Sequence, residues 1–282
     1  MRVVVFSKDR ACQLELLLRS LHEQCRQSER LRIAVLYKAS DARFAAGYEE
    51  VRRRFPAVDL VPQTSSPIKE QIGALVAQPL CELFTFFTDD IVVIRPIDLF
   101  DAPFETLRER ADVTSIALRL DRSIDHCQPL GIDTPPPTLD VDSTWRYRRP
   151  STRPGRLLAR LRGTLPLGDW AGSMFIDGYV FRHPELVDYF RRLPDFSHVT
   201  QIEQVMLENP LRGDRVVCCA KARIVNLVLN RVDTRSVYPH AGGSPAELNE
   251  RFLDGGRLDY THLRTVPRRS CHVDVPPRWM KA

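Results

Sequence analysis

The sequence lacks the glycine-rich motifs by which many α/β proteins bind nucleotides. Neither GxGxxG nor GxxxxGK[ST] occurs in the 282 residues, and the segment "SKDRACQ", which follows the first apolar run, contains no glycine. These absences exclude the dinucleotide fingerprint and the phosphate-binding loop of P-loop NTPases. A ligand that carries phosphate would need its charge neutralised in another way.

Long apolar runs and paired cysteines are also missing. No stretch approaches the roughly 20 apolar residues that a membrane-spanning helix needs. The start, "MRVVVFS", lacks the regions that make up a secretion signal. The seven cysteines form no CxxC pair, and Cys218 and Cys219 are adjacent. We therefore expect a cytoplasmic protein with reduced thiols and no zinc site.

The composition is that of a globular protein with a packed core. Hydrophobic residues make up 43% of the chain and charged residues 27%, with a net charge of +5. Strand-like apolar runs alternate with helical patterns through the first hundred residues, which predicts a mostly parallel sheet flanked by helices. The predicted strands are 2–7, 31–38, 58–62 and 83–88, and the predicted helices are 11–25, 41–56 and 66–78.

Two adjacent carboxylates interrupt the most apolar part of the chain. In "FTFFTDDIVVIRP", residues 84–96, Asp89 and Asp90 follow one buried run and precede another. Ionised carboxylates are costly to bury without compensation. The pair is therefore either a solvated turn or helix cap, or it faces a cation at the carboxyl end of a parallel strand, where ligands of such sheets bind.

The order of these segments resembles the GT-A glycosyltransferases of the family 2 type. "VVVFSKDRACQLELLLRSL" is similar to their opening strand and helix, and "FTFFTDDIVVIRP" to the strand that ends in their DxD motif. Thr88 stands where that motif has its first acid. "IVNLVLNRVDTRSVYPHAGGSPAELNERFLDGG", residues 224–256, resembles a bacterial branch of this class with the pattern VNxxxNRV…LNxxFLxG.

The resemblance implies one GT-A-like, Rossmann-like domain over residues 1–282. Residues 1–100 would form the half that binds the nucleotide-sugar, and residues 169–282 the acceptor-side half. The implied activity is a hexosyltransferase type of reaction in polysaccharide biosynthesis. A sugar would pass from a nucleotide-sugar donor to a hydroxyl of a glycan, lipid-linked or small-molecule acceptor, with inversion at the anomeric carbon.

The resemblance also implies a metal cofactor, Mn²⁺ or Mg²⁺, on the donor's diphosphate. Asp90 takes the position of the metal ligand, Asp89 a secondary position, and His240 in "YPHAGG" is similar to a late metal-binding histidine. Thr88 in place of an acid predicts looser metal dependence. The side chains expected to bind the donor are Ser7, Lys8, Asp9, Arg10, Lys69 and Asp89.

Two acids are candidates for the general base that deprotonates the acceptor hydroxyl. Asp177 lies in "WAGSMFIDGYVFR", where Asp-Gly between apolar runs also predicts a hairpin turn. Glu203 lies in "HVTQIEQVMLENP", where Thr200 and Glu203 also match a capping box. Asp177 is favoured as the base because it lies in an apolar run and has less claim to a capping role. We expect Asn226 and Asn230 to hold a loop by hydrogen bonds to the backbone.

Residues 121–168 form a basic, proline- and arginine-rich segment, which predicts a loop insert. No acid occurs between Asp142 and Asp169. The arginines of residues 146–162 would attract an acidic or pyrophosphate-linked acceptor, or the anionic inner face of a membrane, with the chain peripheral to it. With Trp145 and Tyr147 as the aromatic residues beside them, we expect no nucleic-acid binding.

Two other classes share parts of this pattern. A nucleotidyltransferase has a similar α/β frame and metal chemistry, but its glycine-rich first loop is absent here. A protein that binds nucleotide-sugars without catalysis is consistent with the missing first acid at Thr88. Release of pyrophosphate from a nucleoside triphosphate would indicate the first class, and donor binding without turnover the second.

Overall fold

A computed structural model of the protein describes residues 1–146, 168–170, 172–230 and 242–280. Four strands alternate with three helices at the start of the chain, as the apolar pattern predicts. The strands are β1 (Arg2–Lys8), β2 (Arg32–Lys38), β3 (Asp59–Pro62) and β4 (Leu83–Thr88). The helices are α1 (Ala11–Gln24), α2 (Ala42–Arg54) and α3 (Ile68–Ala77).

The alternation of side chains along β1 explains why the sheet is covered on both faces. Val3 and Val5 belong to one apolar cluster, and Val4 and Phe6 belong to another. Successive side chains of a strand point to opposite faces, so a run that is apolar throughout requires a packed layer on each side. Helix α1 supplies part of one layer with its buried leucines, each worth about 1.5–3 kcal/mol of burial.

The rest of the described chain adds eleven strands and four α-helices. The strands are β5 (Ile91–Val93), β6 (Val113–Ala117), β7 (His126–Cys127), β8 (Ile132–Asp133), β9 (Thr144–Arg146), β10 (Tyr179–Arg182), β11 (Arg215–Cys218), β12 (Ile224–Leu227), β13 (Leu258–Asp259), β14 (His272–Val273) and β15 (Arg278–Trp279). The helices are α4 (Ala102–Glu109), α5 (His183–Arg192), α6 (Val199–Glu208) and α7 (Pro245–Leu253). None of the described helices is long and apolar enough to cross a membrane.

The main sheet has eight strands in the order β3-β2-β1-β4-β10-β6-β11-β9. Strands β3, β2, β1 and β4 are parallel, β10 is antiparallel to both of its neighbours, and β11 is parallel to β6. The α/β class with a mostly parallel sheet between helices is therefore confirmed. A second sheet has the order β14-β12-β5, with β14 parallel and β5 antiparallel to β12.

One prediction about chain course is corrected by the structure and another point is added to it. The chain turns at residues 89–90, as the end of the predicted strand 83–88 implies, and the apolar run after Asp90 forms β5, which pairs with β12 in the second sheet. Part of residues 121–168 is not a loop, because β9 pairs with β11 at the edge of the main sheet. Trp145 of β9 is buried edge-to-face against Trp170, so it is a core side chain and presents no surface for stacking.

Candidate active site

A cavity of about 510 Å³ opens at the carboxyl ends of β1, β2 and β4, where ligands of parallel sheets bind. Strand β12, strand β14, the turn before β10 and the start of α6 complete its wall, and we call this cavity the cleft. Its lining comprises Phe6, Ser7, Lys8, Arg10, Leu36, Lys38, Gln63, Thr88, Asp89, Asp90, Ile176, Asp177, His198, Val199, Thr200, Glu203, Asn226 and His272.

Most of the described side chains that the sequence predicts to bind the donor, to hold the metal or to act as the base line this cleft, but Asp9 and Lys69 do not. Asp9 accepts hydrogen bonds from the backbone N–H and the hydroxyl of Ser40, and so fixes the end of β2 to the end of β1. Lys69 donates to the Leu193 carbonyl and to Asp195, and it lines a separate cavity between α3 and α5. His240 lies outside the described residues.

Asp89 is buried beneath the cleft as the partner of Arg10. Its Oδ1 accepts from Arg10 Nη1 at 3.0 Å, and its Oδ2 accepts from Ser7 Oγ at 2.9 Å and from the Lys8 backbone at 3.3 Å. Burial raises the pKa of Asp89 to about 6, although the Arg10 guanidinium opposes that rise. Asp89 therefore holds the loop between β1 and α1 in place, with its two oxygens already engaged by protein donors.

Thr88 joins the two carboxylates that face the cleft. Its Oγ1 lies 2.7 Å from Asp90 Oδ1 and 2.7 Å from Asp177 Oδ1. A hydroxyl has one hydrogen and an ionised carboxylate has none, so Thr88 satisfies only one of the two oxygens at a time. The hydroxyl at the position of the missing first acid thus draws Asp177 and Asp90 together across the cleft floor.

Asp177 is held from several sides. Besides Thr88, it accepts from Arg119 Nη1 at 3.0 Å and from Asn226 Nδ2 at 3.2 Å. Arg119 is 4% exposed, also pairs with the buried Asp169, and lies over the Phe175 ring at 5.3 Å. Charge-assisted bonds of this kind are strong and directional, so they fix the orientation of the Asp177 carboxylate.

The turn that carries Asp177 is not the two-residue hairpin of the alternative interpretation. No strand precedes it directly, and Gly178 (φ 74°) leads into β10 while its N–H donates to Phe86 O. Gly178 is required because a Cβ there would lie 2.1 Å from Cδ1 of Ile224. Asp177 therefore projects from a turn that is locked onto β4.

Glu203 lies one turn inside α6 and is free of the capping role that the sequence suggested. The helix begins at Val199, and the side chain of Gln201, not Glu203, accepts from the His198 backbone N–H. Burial raises the pKa of Glu203 to about 7, with the Asp177 charge as a second cause. A half-buried carboxyl group that titrates near neutrality thus faces the cleft.

Sequence reasoning missed Arg119 and His272 and misread Asn226. Asn226 does not hold a loop through its backbone contacts, because its Nδ2 donates to Asp177 and, at 3.4 Å, to Asp90. Asn230 accepts side-chain hydrogen bonds from Arg10 and Gln13. His272 of β14 is the register partner of Asn226, and its Nδ1 is buried without a hydrogen-bond partner.

The side chains around Asp90 suit a divalent cation that is shared with a ligand. Asp90 forms no ion pair with any described residue, and the Oδ1 of Asn226 beside it is buried without a donor. Across the described stretches, no group of three or more His, Cys, Asp or Glu side chains is arranged to hold a metal ion. One or two carboxylates completed by phosphate oxygens and water is the usual arrangement for Mg²⁺.

The arginine-rich stretch of the sequence is described only at its start. Arg146 belongs to β9 and pairs with Asp214. Residues 147–162 lie outside the described residues, so contact with a membrane or an anionic acceptor through them stays a prediction.

Comparison with known proteins gives structural neighbours only. No family model matches the chain, and no curated protein matches it. The structure of S. aureus TarS is 12% identical over 77% of this chain and 36% of its own, with a TM-score of 0.44. A complex of TarS residues 1–349 with UDP-GlcNAc is 14% identical over 78% of this chain and 59% of its own, with a TM-score of 0.40.

Two further neighbours have similar values. The mannosyltransferase PcManGT from Pyrobaculum calidifontis, in complex with GDP-Man and Mn²⁺, is 13% identical over 78% of this chain and 56% of its own, with a TM-score of 0.40. An active-site mutant of LgtC is 11% identical over 78% of this chain and 72% of its own, with a TM-score of 0.36. This chain spans between about a third and three fifths of the first neighbours' length. At such TM-scores the inference of function depends on the side chains of the cleft.

Proposed function

We propose that this protein is a metal-assisted, inverting glycosyltransferase of the GT-A type, in which Glu203 is the general base. One observation carries the proposal. A carboxyl group whose pKa is raised to about 7 shares a cleft, at the carboxyl ends of parallel strands, with the ion-pair-free carboxylate Asp90. A base that titrates near neutrality and an anchor for a cation on a diphosphate are the two groups that such a transfer requires.

The donor would lie across the ends of β1 and β4. Lys8 and Arg10 line the cleft at the end of β1, where they would face phosphate oxygens, and Phe6 and Leu36 give an apolar floor. Asp90 would hold Mn²⁺ or Mg²⁺ together with the donor's diphosphate. Bound there, the ion would neutralise charge that develops on the leaving diphosphate.

Glu203 suits the role of base better than Asp177, which the sequence favoured. Both oxygens of Asp177 are already engaged by the protein, because Arg119 and Asn226 donate to Oδ2 and the Thr88 hydroxyl lies 2.7 Å from Oδ1, so neither is open to an acceptor hydroxyl. Glu203 would take the proton of the acceptor hydroxyl as that oxygen bonds to the anomeric carbon. The bond from that carbon to the diphosphate breaks in the same step, and its electron pair leaves with the diphosphate.

Asp177 then has a different role. It raises the pKa of Glu203, and it holds the side chains of Thr88 and Asn226 in place within the cleft. Its charge is the second cause of the raised pKa of Glu203. Because Arg119 joins Asp177 to Asp169, the position of this charge is set by buried groups and not by solvent. In this proposal Asp177 is a positioning residue, and a hexose donor with a hydroxyl acceptor, glycan or lipid-linked, is the substrate pair.

The proposal is tested first by donor binding and then by turnover. Thermal shifts with UDP-, GDP-, CMP- and dTDP-sugars in the presence of Mn²⁺ identify the donor, and release of the nucleoside diphosphate measures transfer. We expect Glu203→Gln to bind the donor and to lose about 10²- to 10⁴-fold in rate. Glu208→Gln, which changes an acid at the far end of α6 outside the cleft, is the matched control.

Each outcome has a distinct meaning. Full turnover in Glu203→Gln would reject Glu203 as the base. A stabilising nucleotide-sugar without any turnover in wild type would indicate a binding protein. Pyrophosphate release from a nucleoside triphosphate would indicate a nucleotidyltransferase.

A further inference from the structure

A second cavity, of about 470 Å³, shares one lining residue, His272, with the cleft. It is formed by the segment before and after β14 together with β7 and the turn that follows it. Its polar lining consists of His126, Gln128, Arg268, Arg269, Ser270, His272 and Asp274. Because His272 lines both cavities, a molecule in the second cavity can extend towards the cleft past this one side chain.

Arg268 is the unusual residue of this cavity. It is half-buried, yet it forms no hydrogen bond or ion pair with any residue in the described ranges. Burial lowers its pKa, and the neighbouring charge of Arg95 lowers it further. Its neighbour Arg269, by contrast, is satisfied by Asp125 and Asp133. Arg268 is thus a guanidinium that has been partly removed from water beside the like charge of Arg95; the charge of Asp121 acts on it in the opposite direction, but no described residue forms an ion pair with it.

Two further groups in the cavity have hydrogen-bonding capacity left over. Ser270 is 8% exposed, and its Oγ accepts from the backbone N–H groups of Gln128 at 3.4 Å and His272 at 3.2 Å, which leaves its hydroxyl hydrogen to donate. The His272 imidazole forms no hydrogen bond to a described side chain, and its Nδ1 is buried. Asp274 is the one carboxylate in the lining, and it is engaged in an interaction of its own.

We propose that this cavity binds a phosphoryl group of the acceptor, so that the transferred sugar goes to a hydroxyl of a phosphate-containing molecule. This inference rests on the proposed glycosyl transfer. A guanidinium fork, a buried hydroxyl and an imidazole offer donors in several directions, which suits the three or more oxygens of a phosphoryl group better than the two of a carboxylate. The acceptor's phosphate and the donor's would also occupy different cavities, because Lys8 and Arg10 line the cleft and do not line the second cavity.

The test is a calorimetric titration of the whole protein with inorganic phosphate. A parallel titration with sodium glucuronate measures the binding of a carboxylate for comparison. We expect phosphate to bind wild type more tightly than glucuronate does. Arg268→Met should weaken phosphate binding about 10- to 100-fold, which is the loss of a hydrogen-bonded charge partner. Arg268→Lys keeps the charge without the fork and should give a smaller loss, and it also shows that the site survives substitution.

Two control variants separate this cavity from other anion sites. Lys8→Met alters the donor side of the cleft, and Arg212→Met removes an exposed arginine outside both cavities. Arg212→Met should bind phosphate within about twofold of wild type, whereas Lys8→Met should remove only the phosphate binding that belongs to the donor side and leave the binding that depends on Arg268. Phosphate affinity that falls in Lys8→Met and not in Arg268→Met, or equally in Arg268→Met and Arg212→Met, would overturn the inference, as would the absence of phosphate binding to wild type.

The same titration distinguishes failure of this inference from failure of the proposed function. Phosphate binding that depends on Arg268 requires neither donor nor turnover. If no nucleotide-sugar is bound or consumed while phosphate binding depends on Arg268, the anion site stands and the glycosyl transfer is rejected. If glycosyl transfer occurs and phosphate affinity is the same in wild type and Arg268→Met, the proposed function stands and the phosphate site for the acceptor is rejected.

Discussion

At the scale of single residues, the chemistry of the cleft depends on how differently two neighbouring carboxyl groups are surrounded. Arg119 and Asn226 donate to Asp177 and the Thr88 hydroxyl lies beside it, whereas Glu203 is half-buried and faces the charge of Asp177. Burial and this like charge both raise the pKa of Glu203, to about 7. The groups around each carboxyl group therefore suit Asp177 to positioning and Glu203 to proton transfer.

The first prediction concerns the pH dependence of transfer. A general base acts when deprotonated, and burial raises the pKa of Glu203 to about 7. The charged groups that act on it are Asp177, Arg119 and Asp169, with Tyr179 buried nearby. The kcat/KM of wild type should therefore rise with pH through about 7 and then level off, because this ratio reports ionisation of the free enzyme. The residual rate of Glu203→Gln, measured over the same range, should show no such rise.

The second prediction concerns stability. The pKa of Glu203 is about 7 in the folded protein against an ordinary 4.5, so the folded state binds the proton more tightly. Its contribution to stability is present below about pH 4.5 and is lost as pH rises to about 7. Glu203→Gln should therefore be more stable than wild type by about 1–2 kcal/mol at about pH 8, since the cleft leaves the carboxylate partly solvated. Urea unfolding at about pH 8 and about pH 5 measures this gap, which should shrink at the lower pH; a gap that widened there would contradict it.

The third prediction concerns the metal. Asp90→Asn keeps the shape of the side chain and the hydrogen bond from Thr88, but removes the charge that would hold a cation. Donor binding should lose its enhancement by Mn²⁺ or Mg²⁺, while the thermal unfolding midpoint without donor stays within a few degrees of wild type. Calorimetric titration of the donor with and without metal checks both variants. Equal donor affinity for the two proteins in the presence of metal would count against Asp90 as a ligand.

At the scale of elements, the first four strands and three helices were predictable because their signals are local. Apolar runs of strand length, separated by helical patterns, fix β1 to β4 to within about one residue of the observed bounds. The carboxylates at the end of β4 could be placed at the edge of the sheet for the same reason. Local patterns also gave a wrong N-cap for one helix. Helix α6 begins at Val199, one residue before Thr200, and the side chain of Gln201 accepts from the backbone N–H of the N-cap residue His198.

The remaining parts of the site could not be predicted because they arise from contacts between distant segments. His272 reaches the cleft only because the two-residue strand β14 pairs with β12, and so short a strand leaves no periodic signal. Arg119 lies just after β6 in a segment that carries no recognisable motif. Its role depends on contacts with Asp169 and Asp177, which are 50 and 58 residues away in the sequence. Asn226 was noticed, but its partners are set by the second sheet.

The fourth prediction tests the turn that presents Asp177. Gly178→Ala introduces a side chain at φ 74° and places its Cβ against Ile224, whereas Gly131→Ala meets a similar φ of 62° with no atom within 4 Å. Gly131→Ala should cost about 1 kcal/mol of backbone strain, and Gly178→Ala about 2–4 kcal/mol. Chemical denaturation of both variants separates strain from crowding. Equal losses in the two would show that Ile224 gives way freely and that the turn is not locked by packing.

At the scale of the whole molecule, one buried network ties the start of the chain to its C-terminal half. Arg10 donates from Nη1 to Asp89, from Nε to Asn230 Oδ1 at 2.9 Å and from Nη2 to Asn230 O at 2.5 Å. Gln13 of α1 also donates to Asn230, and the Ser7 hydroxyl lies between Asp89 and Tyr48. The end of β1, the end of β4 and the residues after β12 are therefore joined at one point beneath the cleft.

The final prediction is that this network couples folding to pH through Asp89. Its pKa is raised to about 6 from an ordinary 3.8 even with Arg10 beside it, so its contribution to stability is lost as pH rises from about 4 to about 6. Arg10→Met leaves the carboxylate buried without a cation, which should cost about 3–5 kcal/mol. The pKa of Asp89 must then rise further, so the loss should be larger at about pH 8 than at about pH 5. Arg10→Met/Asp89→Asn should recover part of the stability, because no charge is left uncompensated. Denaturant unfolding of wild type, Arg10→Met, Asp89→Asn and the double variant gives the coupling free energy of the pair. If the losses of the single variants add up to that of the double variant, and are equal at the two pH values, Arg10 and Asp89 do not act as a unit.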